Sequence, residues 1–244
     1  MRDGTQRTAI VTGAGKRVGA ELARALAADG WSVAAHVRED GDEVPAGTHK
    51  VVADLGRPDC AEAIFAQAAD LPPIRLLVNN AARFAPDAID AFDPGEFDSH
   101  MAVNARAPAL LIDRLARTHD GGDAVVVNIL DSKLFALNPD FASYTLSKQA
   151  LAGLTELAAR ALAGRGIRVN GIAPALMLRS MGQSQENYAA MHRRNPLRRG
   201  VEPSDVVAAL RYLIDAQCVT GQVITIDSGQ RFLNLERDVQ YLET

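Results

Sequence analysis

Cysteine is scarce in this 244-residue chain: Cys60 and Cys218 stand far apart, with no CxxC-type spacing. That excludes a disulfide framework and fits buried thiols in a reducing compartment. The five histidines, His36, His49, His100, His119 and His192, form no ligand pattern, so no metal is expected. A basic excess is missing too. The formal charge of −4 removes the electrostatic footprint of a nucleic-acid binder. No apolar run approaches the roughly 18 residues of a membrane helix, and the start, MRDGTQRTAI, lacks the apolar core of a signal peptide. Repeats, low-complexity tracts and Ser-rich linkers are absent as well. What these absences leave is one α/β domain over residues 1–244 of a cytoplasmic protein, without nucleic-acid or membrane partners.

What is present is alternation. Strands are expected over residues 8–12, 32–37, 49–53, 76–79, 124–130, 168–172 and 222–227. Helices are expected over 20–28, 59–69, 93–118, 143–163 and 204–216. The helix entered at Asp93-Pro94-Gly95-Glu96 has a capping acid, Pro at N1 and Glu at N3, and Pro108 should bend it. Continuous apolar strands between helices imply a doubly wound parallel sheet of about seven strands covered on both faces. Ligands of such sheets bind beyond the carboxyl ends of the strands, where strand order reverses. The turn after strand one, the Asn79-Asn80 pair, Asp131 and Pro174 all fall at such ends.

The first of these turns, Thr12-Gly13-Ala14-Gly15-Lys16-Arg17-Val18-Gly19, joins a strand to a helix. Gly13 permits a tight turn, Gly19 lets helix and strand pack closely, and the helix start offers free N–H groups to a pyrophosphate. The Gly-x-x-x-x-Gly-Lys-Ser/Thr spacing of a phosphoryl-transfer loop is absent. At the end of strand two, where an acid would suit NAD, stands Arg38, and Lys16 adds a second positive charge. Both point to NADPH/NADP, although Arg38 also reads as a solvated loop charge. Asp54 reads either as a partner for the adenine amino group or as a helix cap.

Tyr144 and Lys148 lie four apart, so on a helix they share one face. A phenol near a fixed ammonium should have its pKa lowered and be ready to pass a proton near neutral pH. In order along the chain, the Thr12–Gly19 loop, Asn79-Asn80-Ala81, Asn104 and Tyr144-x-x-x-Lys148 resemble the short-chain dehydrogenase/reductase family over nearly the full length. The resemblance implies a single-domain Rossmann fold, a nicotinamide cofactor, a small-molecule substrate and a homo-oligomer, tetramer or dimer. It also implies Tyr144 as proton donor, Lys148 on the nicotinamide ribose, and Asn104 as anchor of a water relay. Cofactor contacts are implied for Gly13, Lys16, Arg17, Val18, Gly19, Arg38, Asp54, Leu55, Asn80, Ala81, Ala82, Tyr144, Lys148 and Pro174.

Two departures narrow the resemblance. Arg17 stands where the common loop has Gly, and Asp131, thirteen residues before Tyr144, replaces the common Ser. Both resemble the pteridine reductases, including the dihydromonapterin-reductase type, and Phe84 matches the aromatic that stacks on a pterin there. Reducing a ring C=N bond requires a proton on nitrogen, which an acid relayed through Tyr144 can supply. A Ser instead donates to a developing alkoxide. A one-residue shift would put Ser132 in that place. Arg17, Phe84, Asp131, Tyr144 and Met177 are therefore the candidate substrate contacts, with Tyr188 a further one and core packing the bland alternative for Phe84. Residues 176–202 should form a substrate lid. The tail 229–244, with Phe232, Leu233 and Leu235, should cover the lid or dock on another subunit. Two other functions compete with pterin reduction: a short-chain reductase of small carbonyls, and a non-catalytic NADP-binding regulator.

Overall fold

The computed structural model describes residues 6–180 and 182–242. Seven strands, β1 (Thr8–Val11), β2 (Ser32–Val37), β3 (His49–Val52), β4 (Ile74–Asn79), β5 (Ala124–Ile129), β6 (Ile167–Pro174) and β7 (Val223–Ile226), form one sheet in the order 3-2-1-4-5-6-7. Every neighbouring pair is parallel. The helices are α1 (Arg17–Ala28), α2 (Cys60–Gln67), α3 (Pro94–Met101), α4 (Ala107–Thr118), α5 (Ala142–Leu162), α6 (Gln185–Met191) and α7 (Pro203–Asp215).

Alternation along each strand builds a core on both faces. Ile10, Leu77, Val126 and Val169 pack with the helices α2, α4 and α5. Their neighbours Ala9, Val11, Val78 and Val127 pack with α1 and α7. β1, β5 and β6 are buried along their whole length. The strand order reverses between β1 and β4, and the loops leaving these two strands are tied together. Thr12 Oγ1 accepts the N–H groups of Asn80 and Ala81 at 2.9 and 3.0 Å, and Asn80 Nδ2 donates to Thr12 O at 2.8 Å.

The helix expected over residues 93–118 is instead two helices joined by a π-helical turn, Ala102–Arg106. Pro108 is the physical reason. It has no N–H to donate to the Asn104 carbonyl, as a regular α-helix would require, and it sits comfortably at the start of α4. The cap at Asp93 behaves as expected, accepting from the N–H groups of Gly95 and Glu96. α1 begins at Arg17, three residues earlier than expected, and its buried face already includes Val18. The segment 176–202 also contains a helix, α6, capped by Ser184.

Candidate active site

A cleft of about 1410 Å³ runs along the carboxyl ends of the strands. That exceeds the roughly 300–1,000 Å³ of a single small-ligand pocket, so a dinucleotide and a second small molecule fit end to end. The sequence-derived site residues Gly13, Lys16, Arg17, Val18, Gly19, Arg38, Asp54, Leu55, Asn80, Ala81, Ala82, Phe84, Asp131, Tyr144, Lys148, Pro174 and Met177 all line it.

At one end the glycine loop forms a cradle with no room for side chains. A Cβ on Gly19 would lie 2.1 Å from Gly13 O and 2.5 Å from Asn80 Nδ2. Gly13 itself has φ +65° and packs on Ala81. α1 starts without a side-chain cap and without an acid in its first turn, so its free N–H groups are available to an anion. Arg17 adopts φ +54°, a left-handed conformation that favours glycine. Its guanidinium reaches across to the lid and donates to Arg179 O at 3.1 Å and Leu178 O at 3.4 Å. Arg38 is exposed and paired with Glu39 at 2.7 Å. Asp54 does not cap α2, whose N-cap is Asp59. Its carboxylate instead accepts from Gly56 N–H at 2.8 Å. These residues fit a phosphate-bearing dinucleotide: an uncapped helix start, a Cβ-free cradle and three cations.

Sequence reasoning missed His36. This buried ring accepts from Gly13 N–H through Nδ1 at 3.1 Å, and its Nε2 lies 2.9 Å from Ala53 O. It fastens the glycine loop to the end of β3. Burial lowers its pKa, which keeps it neutral and able to accept. The only sequence signal was a histidine in an otherwise apolar strand.

At the other end Tyr144, at the start of α5, donates to Asp131 Oδ2 at 2.9 Å. Asp131 Oδ1 in turn accepts from Lys133 N–H at 2.8 Å. Asp131 thus occupies the place for which Ser132 competed, and Ser132 is buried. Burial pushes the Asp131 carboxyl above its usual range, against the pull of the Lys133 N–H, Tyr144 and Lys148. The expected lowering of the Tyr144 pKa by Lys148 is overturned. Burial, then the charge and hydrogen bond of Asp131, raise it well above the ordinary phenol value. Lys148 donates to Ile129 O at 2.7 Å, its Nζ lies 5.7 Å from the Tyr144 ring centre, and desolvation lowers its pKa to about 8. A phenol held protonated beside a carboxyl can donate a proton. It is poorly suited to removing one near neutral pH.

Asn104 lies behind this wall. Its Oδ1 accepts from Arg83 N–H at 2.7 Å, and its Nδ2 donates to Arg83 O at 3.0 Å and Ser147 Oγ at 2.9 Å. The side chain is therefore fully engaged and fixes the loop after β4 to α5. Phe84 is no core residue, being 40 % exposed. Its ring stacks on Phe141 with centres 4.4 Å apart and stands edge-on to Tyr144 at 4.8 Å. Tyr188 is not among the cleft-lining residues; it donates to Met177 O at 2.8 Å and stacks on His192. It packs within residues 176–202, the alternative to its reading as a substrate contact.

Of the two readings of the tail, covering residues 176–202 or docking on another subunit, the contact between Asn187 and Leu242 fits the first. The tail folds back on its own site. Arg237 pairs bidentately with Asp140, and Leu235, Arg237, Asp238 and Val239 join the cleft wall. Tyr241 stacks on Phe141 at 5.7 Å, and Asn187 in the lid donates to Leu242 O at 2.7 Å. Phe232, at 71 % exposure, is the most exposed large apolar residue of the described tail. Nothing local in GQRFLNLERDVQYLET indicates this return, because its partners lie about 100 residues earlier in the chain.

Among the described residues no cluster could hold a metal ion, and no helix is long and apolar enough to cross a membrane. A family model for enoyl-(acyl carrier protein) reductase matches residues 13–231. FolM alternative dihydrofolate reductase 1 from Brucella canis, solved in complex with NADP, is similar: TM-score 0.84, 35% identity, 93% of this chain and 94% of that one. The Brucella suis protein of the same name, also with NADP, gives TM-score 0.85 and 34% identity, covering 95% and 97%. Carbonyl reductase [NADPH] 2 of Sus scrofa is 31% identical over 91% of this chain and 95% of its own.

Proposed function

The chain belongs to the short-chain dehydrogenase/reductase family, and on that footing we propose that it reduces the C=N bond of a pterin or dihydropterin with NADPH. NADPH supplies the hydride. The uncapped start of α1, Gly13 and Gly19 hold the pyrophosphate, Arg38 and Lys16 take the 2′-phosphate, and Asp54 the adenine amino group. Tyr144 carries the proton and Asp131 replenishes it, with Lys148 on the ribose. The carrying observation is the Asp131–Tyr144 hydrogen bond of 2.9 Å in a desolvated corner. There the carboxyl holds its proton to higher pH and the phenol stays protonated. An ionised carboxylate there would repel the alkoxide formed from a ketone. A nitrogen that ends neutral after protonation suffers no such penalty.

Two further observations support this reading. The partly exposed Phe84 ring beside Tyr144 offers a flat face for a fused heterocycle. The two Brucella neighbours are dihydrofolate reductases by name. Carbonyl reduction is the second reading, favoured by the pig carbonyl reductase at 31% identity. Steady-state NADPH oxidation with dihydrobiopterin, dihydromonapterin, dihydrofolate and a carbonyl panel separates the two. Turnover of dihydropterins is expected, with Asp131→Asn reducing it by roughly 100-fold. Activity on carbonyls alone would remove the pterin reading. For assembly, exposed Leu146 and Leu157 on α5 support a homo-oligomer built through that helix. A monomer by light scattering at micromolar concentration refutes it.

A further inference from the structure

Beyond the Tyr144–Asp131 pair, the substrate end of the cleft contains a second carboxylate that only the tail delivers. Asp238 lines the same wall as Phe84 and Tyr144. It lies close enough that its charge raises the pKa of both Asp131 and Tyr144. Its backbone is pinned, since Asp238 N–H donates to Asp140 Oδ2 at 2.7 Å beside the bidentate Arg237–Asp140 pair. Oδ1 is occupied by Gln240 N–H at 3.1 Å. Oδ2 has only a long contact, 3.5 Å, from Lys133 Nζ. That ammonium also donates to the Asp140 carbonyl, and burial lowers its pKa against the pull of Asp238 and Asp131. Arg237 is held on Asp140 through Nε and Nη2.

The result is a cleft-lining carboxylate on a pinned backbone, 20 % exposed, whose Oδ2 is held only by the 3.5 Å ion pair with Lys133. Asp131, which burial holds towards its neutral form, and Asp238 share this end of the cleft with Lys133 and Arg237, whose charges are met locally by Asp238 and Asp140, so an anionic substrate headgroup finds no free cation among these four. Complementarity instead calls for an uncharged ring that presents N–H donors. An amino group on a ring carbon beside a ring N–H is such an edge, and a carboxylate is the acceptor that rewards it most.

We propose that Asp238 is the specificity-determining carboxylate of the substrate site and takes the amino-bearing edge of a 2-amino heterocycle. This rests on the pterin reading above and sharpens it, because it names which edge of the ring is recognised and by which residue. Asp238→Asn is the informative variant: it keeps an oxygen to accept from Gln240 N–H and confronts the substrate donors with an amide N–H₂. Wild type should prefer a 7,8-dihydropterin over its 2-oxo counterpart, the matching dihydrolumazine. Asp238→Asn should raise KM for the dihydropterin by roughly 10- to 100-fold, leave kcat within a few-fold, and erase the preference. A purely structural role would lower kcat for both substrates together. That result, or an unchanged KM, overturns the proposal. Binding of 2,4-diaminopyrimidine to the NADP-loaded protein, measured by calorimetry, keeps the two readings apart. Binding that Asp238→Asn weakens, without turnover of any pterin, upholds Asp238 and removes the reductase reading. Dihydropterin turnover with diaminopyrimidine binding indifferent to Asp238→Asn does the reverse.

Discussion

Lys148 offers a direct measure of how strongly this site desolvates its charges. Its side chain is 2 % exposed, and burial lowers its pKa from 10.5 to about 8. A shift of that size corresponds to roughly 3 kcal/mol of differential interaction. For a lysine whose folded pKa is depressed, the unfolded chain holds the proton more tightly. The cost of burying the ammonium is therefore fully present below about pH 8, is relieved as pH rises, and is gone above 10.5. Lys148→Met fills the same space with no charge to desolvate. Most other titrations are shared by the two proteins; the exception is Asp131, which loses the pull of Lys148, and its carboxyl titrates on the acid side of this pH window. Urea unfolding of the cofactor-free proteins from pH 7 to 10.5 should show wild type gaining about 3 kcal/mol relative to the variant across that window. The lost hydrogen bond to Ile129 O offsets the difference by a constant amount while the lysine remains a donor, and leaves its slope untouched. A flat difference, or one that moves the other way, would refute the desolvation argument. The same titration predicts an alkaline limb near pH 8 in kcat/KM.

Three further outcomes are expected. Tyr144→Phe should lower kcat by roughly 100-fold or more with NADPH affinity nearly intact, read by steady-state kinetics and fluorescence titration. Comparable losses in both would make the phenol structural. Arg38→Ala should weaken NADPH roughly 10- to 100-fold and leave NADH unchanged in the same titration, as loss of a charge-assisted phosphate contact requires. Equal effects would undo the NADP assignment. Gly19→Ala puts a Cβ 2.1 Å from Gly13 O, so the loop must move. Thermal unfolding should show a loss of about 1–3 kcal/mol together with at least roughly tenfold weaker NADPH binding.

The alternation of apolar strands with helices, the glycine cradle and the Tyr144/Lys148 spacing are local patterns, and each was legible because local sterics and periodicity dictate them. Even so, the Asn104 break was misread, because the consequence of Pro108 falls on a carbonyl four residues away. The electrostatics were misread for a similar reason. From spacing alone Lys148 should have acidified Tyr144, yet burial and the neighbouring Asp131 raise the phenol's pKa. The register of Asp131 against Ser132 was open in sequence and became definite only when the chain after β5 turned into a 3₁₀ segment capped by Asp131 itself.

By itself the sequence determined the sheet, the glycine cradle and the spacing that puts Tyr144 and Lys148 on one helix face, since all three depend on residues close together or on repeating periodicity. Tertiary structure alone decided which groups are desolvated and which partners meet across the chain. His36 beneath the glycine loop, Asn104 bound to Arg83 and Ser147, and the tail carboxylate of Asp238 arriving beside Lys133 are all of this kind. Burial and long-range contact have no signature in a short window of sequence. They arise only when elements far apart in the chain pack against each other.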